Sequence, residues 1–465
     1  MPLYFFGAGP SIGWPAMIPF LAHTGHGATD LGIPTWLAWY GSGIVVALTA
    51  ALLRAVWRDA RLDGALGPRP PFDGEPRRLI NIFAQVIGIA LLALVISAGA
   101  LGPDRRFANL APLIAWSLFP FGLTVLSLLV GNVWRTISPF ETISRAWRQP
   151  DRRETHASLE DPPYYQGLMD LWPAAALLIF FWIRYGYHEA GSPRLLAVWL
   201  VAYTAAMIIG SLLGGPAWLR TNDALALWFG RIASLSPVGR DLNGELRFRR
   251  MLSGATRRGT ARETAVLLVI IGSLAFSAID STEFWFSVVG DNLGWGLTLI
   301  RTLGLIWLVA MVSALYLGTE WLVSRITDRG EHTGQETMTG GLGDMTGRFI
   351  GLPTAILAGM TIAYGLTDAL VDTQTVANYL SDPYNRQWDL IGTTDLRINA
   401  NVLTPGASAW IELVSGGIGA IAAMIIGHDI SIERFGPDAA SRAGWVITAA
   451  VALAAIGISL SLLAG

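Results

Sequence analysis

Four ionisable residues lie inside or at the ends of long apolar runs: Asp280, Arg301, Asp368 and Glu412. A charge at membrane depth is unfavourable by roughly 2.5 kcal/mol or more, so such residues mark function or a deliberate pairing. Arg301 is expected about two turns into its run, at about 1.5 Å rise per residue. Asp280 closes the preceding run, Asp368 is read in the last turn of the next, and Glu412 in the first turn of the one after. The four are expected at one leaflet. There a guanidinium among carboxylates gates protons or binds a small charged solute; the alternative is an ion-pair knot that fixes helix register.

Above this layer lies a connection of about 36 residues carrying Ser381-Asp382-Pro383-Tyr384-Asn385-Arg386-Gln387-Trp388-Asp389 and, further on, Asp395. That is long for a plain linker and suits an ordered lid or a docking surface. Asp382, Arg386 and Asp389 are its candidate functional side chains. His23 and His26, spaced i, i+3, are candidate metal ligands if helical, yet Thr24-Gly25 and Gly27 favour a loop, and one pair lacks the third and fourth ligands, so a bound metal is not expected. His188, His332 and His156 read as residues of exposed loops. His428-Asp429 reads as the end of a helix, where a cation suits the negative pole.

Zero cysteine excludes disulfides, thiolate nucleophiles, iron-sulfur clusters and covalently attached haem, and the absence of lysine excludes Schiff-base and P-loop chemistry. No cofactor is expected. A net charge of −2 offers no basic surface for nucleic acid.

The elements that position these residues are ten apolar runs, near 33–57, 79–101, 111–133, 167–184, 195–215, 263–280, 295–318, 349–371, 408–427 and 443–463. A bilayer core about 30 Å thick takes roughly 20 apolar residues per helix. The expected fold is therefore all-α: a polytopic membrane bundle of about ten helices, residues 33–465 forming one domain. All 32 cationic side chains are arginine, and the connections after spans 1, 3, 5, 7 and 9 hold 25 of them, against six after spans 2, 4, 6 and 8. Positive connections stay inside, so both termini are expected outside, in a bacterial inner membrane. Residues 1–32 lack the cationic start of a secretory signal, and Pro10 and Pro15 interrupt the apolar stretch, so a re-entrant or interfacial segment on the outer side is expected, with a cleaved signal as the alternative.

Two arginine-rich connections carry helix signals. Ser138-Pro139-Phe140-Glu141 suits a capping box, with Phe140, Ile143 and Trp147 on one face. Asp223 precedes Leu225, Trp228, Ile232 and Leu235 at helical spacing, with Arg231 opposite. Both are expected to lie on the membrane surface. Tryptophans near span ends, including Trp57, Trp134, Trp182, Trp295, Trp321, Trp410 and Trp445, fit an aromatic belt; Gly416, Gly419, Ala420 and Ala423 fit close helix packing.

Short motifs at 381–393, 131–135 (Gly-Asn-Val-Trp-Arg), 235–240 (Leu-Ser-Pro-x-Gly-Arg) and 427–429 (Gly-His-Asp) are similar to bacterial membrane proteins labelled fenitrothion hydrolase. The resemblance runs over most of the chain and implies organophosphate ester hydrolysis. Histidines associated with that group in spans 8 and 9 are replaced here by Tyr364 and Ala420, while His428 stays. Phosphotriester hydrolysis needs a metal-activated water or a nucleophile with its base, and neither is assembled in the sequence. Three readings follow: a permease or ion-coupled carrier, an accessory subunit among other membrane subunits, and a membrane-bound hydrolase.

Overall fold

The computed structural model describes residues 35–62, 64–69, 75–146, 171–241, 245–327 and 347–463. The expected segment 1–32 with His23 and His26 lies outside them, as do Trp147, His156 and His332.

The protein is an all-α polytopic bundle. In order come α1 (Thr35–Val56), α2 (Glu75–Leu101), α3 (Leu110–Val130), the short α4 (Trp134–Ile137) and α5 (Pro139–Ala146), then α6 (Trp172–Tyr185), α7 (Pro193–Asn222) and α8 (Ala224–Ser234). After them come α9 (Ala261–Ile279), α10 (Glu283–Val289), α11 (Gly294–Thr327), α12 (Gly351–Ser381) and α13 (Pro405–Leu463). The last breaks at Gly436, whose φ of 75° no helix accommodates, with Pro437 behind it. Gly427 packs on Ile447 across that break, so the two halves fold back as a hairpin. Eight helices among the described residues are long and apolar enough to cross a membrane. The described parts of the first and fourth expected spans are shorter, Tyr40–Val56 and Trp172–Tyr185.

Why these residues pack this way is clearest at two points. Thr260 and Glu263 cap α9 reciprocally, each satisfying one orphan backbone N–H. Where α12 crosses α13, a Cβ on Gly359 would lie 2.7 Å from the Ser415 carbonyl oxygen and 3.0 Å from the Gly419 Cα, so only glycine lets the backbones approach this closely.

Connections after odd-numbered spans meet at one end and those after even-numbered spans at the other. At the arginine-rich end, Gly67 N–H donates to the Phe248 carbonyl at 2.7 Å and Phe349 N–H to Glu320 at 2.9 Å. At the opposite end, Tyr379 donates to the Phe107 carbonyl at 2.9 Å and Tyr384 bonds Ser97 at 3.1 Å.

Several expectations are corrected. α8 does not lie on the surface: Trp228, Phe229, Ile232 and even Arg231 are buried, because helices cover both its faces. α5 also turns inward, Phe140 packing on Trp134 and Tyr203 at ring distances of 6.0 and 5.5 Å. Ser138 caps α5 at 3.4 Å, while Glu141 turns to Arg145. Trp295, Trp321, Trp410 and Trp445 are exposed, as a belt requires, but Trp134 is buried and Trp57 and Trp182 bond to polar side chains. α12 runs on to Ser381, so Asp368 sits well inside the helix and the following connection is shorter than expected. α13 likewise continues beyond His428 to the break, so that histidine does not end the helix.

Candidate functional site

The charged layer begins with Arg301 on α11, whose guanidinium reaches both carboxylate oxygens of Asp280, the C-cap of α9, at 3.3 Å. Both side chains are about one-fifth exposed, enough burial to make the pairing obligatory for Arg301. Arg184, on the last turn of α6, is the next charge along and acts on Asp280 as well as on Arg106. Burial and then the like charge of Arg184 pull the Arg106 guanidinium down to about 9, while Tyr185, Asp368 and Asp372 pull it back up. It remains cationic at neutral pH. The stem of Arg106 crosses Gly191, where an added Cβ would approach it to 2.8 Å.

Asp368 thus lies within electrostatic range of Arg106. Glu412 accepts from Ser408 at 3.3 Å, and Ser408 meets Thr367 at 2.6 Å, which ties α13 to α12 one residue from Asp368. Three cations, Arg301, Arg184 and Arg106, and three carboxylates, Asp280, Asp368 and Asp372, therefore act on one another at this end of the bundle. Arg106, Arg184 and Asp372 are not legible as members from the sequence, where the two arginines carry only a topology signal.

The loop after α12 stands over this layer as an ordered structure. Asp382 accepts from the backbone N–H of Arg386 at 2.8 Å and of Trp388 at 3.2 Å. Asp389 accepts from Ser381 at 2.9 Å, which holds its carboxyl below the usual carboxylate range and keeps it ionised. Asn385 and Gln387 take positive φ of 54° and 62°, a conformation that bulky residues avoid and that the surrounding bonds impose here. Arg386 lies 5.6 Å from the rings of both Tyr384 and Trp388. Between this loop and the start of α3 is a cavity of about 300 Å³ bounded by Ala108, Tyr379, Asn385, Gln387, Trp388 and Asp389, among others. No arginine lines it.

Two further polar centres sit at the arginine-rich end. Asp429 receives the Trp57 indole at 3.3 Å and the N–H of Arg61 and Leu62 at 2.6 and 3.2 Å, while His428 Nε2 bonds the Trp57 carbonyl at 2.9 Å. The Gly-His-Asp motif therefore clamps the connection after α1. Asp223 caps α8 through Leu225 N–H at 3.0 Å, as its position implied, but also accepts from Trp134 at 2.8 Å and Tyr203 at 2.7 Å. Burial raises its carboxyl to about 6, against the hydrogen bonds that pull it down. His188 lies in a loop as expected but is half-buried rather than exposed, held by Thr298 at 2.8 Å and packed on Trp295. Among the described residues no three His, Asp or Glu side chains come together as a metal would require.

A comparison with known proteins finds no family model, no curated protein and no solved structure that matches the chain.

Proposed function

We propose that the protein is a carrier for a small polar solute, neutral or cationic, taken from the end opposite the arginine-rich connections, in a bacterial inner membrane with both termini outside. The observation that supports this reading is a polar cavity at the same end as a layer of paired cations and carboxylates that reaches into the spans. Structural charges are cheapest at the surface; these extend two turns along α11, where a solute or proton moving inward would meet them. The cavity wall sets the class. Asp389 is ionised, amides of Asn385 and Gln387 donate and accept, and the Trp388 ring offers a face to a cation or a sugar-like ring. With no arginine in the lining, an anion has nothing to pair with.

The test is uptake into proteoliposomes of radiolabelled polyols, monosaccharides, amino acids and polyamines, with internal pH followed by a trapped dye. Trp388→Ala should weaken apparent affinity and Arg301→Lys should lower the rate. Absence of uptake for the whole set, in protein shown to be folded, would refute the carrier. Two other readings are kept as outcomes. Hydrolysis rests on the family resemblance alone, and phosphotriester turnover abolished by His428→Ala would favour it. Fixed co-purifying membrane subunits would favour an accessory role.

A further inference from the structure

We infer that the solute held in the cavity between the loop after α12 and the start of α3 is a neutral polyhydroxylated ring, a monosaccharide or a cyclitol, seated on Trp388 and hydrogen-bonded by Asn385, Gln387 and Asp389. The inference names the solute of the proposed carrier and rests on that reading for the route the solute takes, not for the binding itself. The cavity has an apolar wall, Ala108 and Leu110, and a polar wall built by the loop. At about 300 Å³ it lies at the small end of ligand sites, which suits a single ring rather than a chain of them.

The loop backbone is bent where these side chains sit. Asp382 accepts from the N–H of Arg386 with one carboxylate oxygen and of Trp388 with the other, and the residue before each of them, Asn385 and Gln387, takes a φ of 54° and 62°. Glycine takes such angles freely; here two residues with amide side chains carry the strain, and both line the cavity. Trp388 is fixed in turn. Its ring stands at 88° to the Tyr384 ring, 5.9 Å away, and the Tyr384 hydroxyl bonds Ser97 of α2 at 3.1 Å. A fixed indole face takes the C–H face of a sugar ring, while an amide donates and accepts at neighbouring hydroxyls, each of which does both. Asp389 adds acceptor lone pairs. Charge disfavours the alternatives. The carboxylates of Asp382 and Asp389 in the lining repel an anion, and a cation would meet Arg386, whose guanidinium lies 5.6 Å from the Trp388 ring that a cation would itself seek.

The full-length protein in neutral detergent is titrated with D-glucose, D-galactose, D-ribose and myo-inositol, and for contrast with spermidine and succinate, and binding is read by saturation-transfer NMR and by melting temperature. At least one ring polyol should bind, its ring C–H protons receiving the strongest transfer, and spermidine and succinate should not. Trp388→Ala should weaken binding about ten-fold. N385G/Q387G should weaken it about ten-fold or more with the melting temperature unchanged or raised, because glycine removes both amides yet suits the positive φ. Absence of binding by every ring polyol, or unaltered affinity in N385G/Q387G, would overturn the assignment, as would spermidine binding that Trp388→Ala abolishes. Uptake by the same preparation in proteoliposomes separates the two claims. A polyol that binds but does not enter supports this site and refutes the carrier, whereas uptake confined to solutes other than ring polyols supports the carrier and overturns this assignment.

Discussion

Asp223→Asn separates the ionisation of a buried carboxylate from its hydrogen bonds. Asp223 is 2% exposed and has only neutral donors around it: the Trp134 indole, the Tyr203 hydroxyl and Leu225 N–H. Its folded-state value of about 6 lies above the ordinary 3.8, so the folded protein holds this proton more tightly than the unfolded chain does. The contribution to stability is complete below about pH 4 and is lost as pH rises through about 6. At about 1.36 kcal/mol per unit, the loss amounts to about 3 kcal/mol by pH 7. Asparagine does not titrate, but it cannot replace all three acceptor contacts. With its amide turned toward Trp134 the indole is left without an acceptor; turned the other way, Leu225 N–H is. Either orphan costs about 1–3 kcal/mol. Below pH 4 the variant should therefore be the less stable protein. Above pH 7 the lost contact is offset by relief of the buried charge, and the two should be equal or reversed. The assay is reversible unfolding in mild detergent from pH 4 to pH 8, read as the difference between variant and parent, in which the other titrating groups cancel. Parallel curves across that window would refute the reasoning.

Arg301→Ala should destabilise by about 2–3 kcal/mol, because Asp280 keeps its partly buried charge and loses its partner, and Asp280→Asn added to it should restore part of that loss in a double-mutant cycle. Gly359→Val should lower stability by about 1–3 kcal/mol or prevent folding, since the new side chain meets the backbone of α13 rather than a side chain that could turn away; an unchanged melting temperature would exclude the close crossing. With no native cysteine, Met251→Cys and Asp395→Cys each carry one exposed thiol, and in intact cells an impermeant reagent should label only the second. Asp429→Ala should open the connection after α1, whose Arg61 and Leu62 N–H groups it holds, and speed trypsin cleavage at Arg61 in inverted vesicles; an unchanged rate would show that the connection is fixed by other contacts.

The apolar runs were readable because a span announces itself by length, and the two ends of the bundle because arginine asymmetry has period two along the connections. Partners were not readable in the same way. Trp134 stands next to a span end like a belt residue, yet its indole belongs to Asp223, 89 positions away, and nothing local encodes that separation. α8 could have been recognised: Ala-Leu-Ala-Leu-Trp-Phe-Gly-Arg-Ile-Ala-Ser is apolar all round apart from one arginine, which is the signature of a buried helix rather than a surface one. In the sequence Asp368 reads as the end of its helix because hydropathy falls there. Hydropathy records where water begins, however, and α12 carries Asp372, Gln374 and Asn378 for three more turns beyond the apolar stretch.

The two ends of the bundle use their polar groups differently, and this bears on what can move. At the arginine-rich end the buried acids are committed to backbone: Asp429 to Arg61 and Leu62, Glu320 to Phe349, Asp223 to Leu225. Arg249 likewise donates to the carbonyls of Ala233 and Ser236, where α8 ends. A side chain bonded to backbone fixes the path of a connection, and breaking it leaves a buried N–H or C=O with no second choice. At the opposite end, charge faces charge, and Arg184 stands between Asp280 and Arg106 with influence on each. Asp280 is acted on by both Arg301 and Arg184, and Arg106 by both Asp368 and Asp372, so a charge here has a second counter-charge to turn to and rearrangement is less costly than at the clamped end. On the carrier reading, the motion that admits a solute therefore belongs to the ends of α6, α11 and α12, while the connections at the arginine-rich end form the frame against which they move.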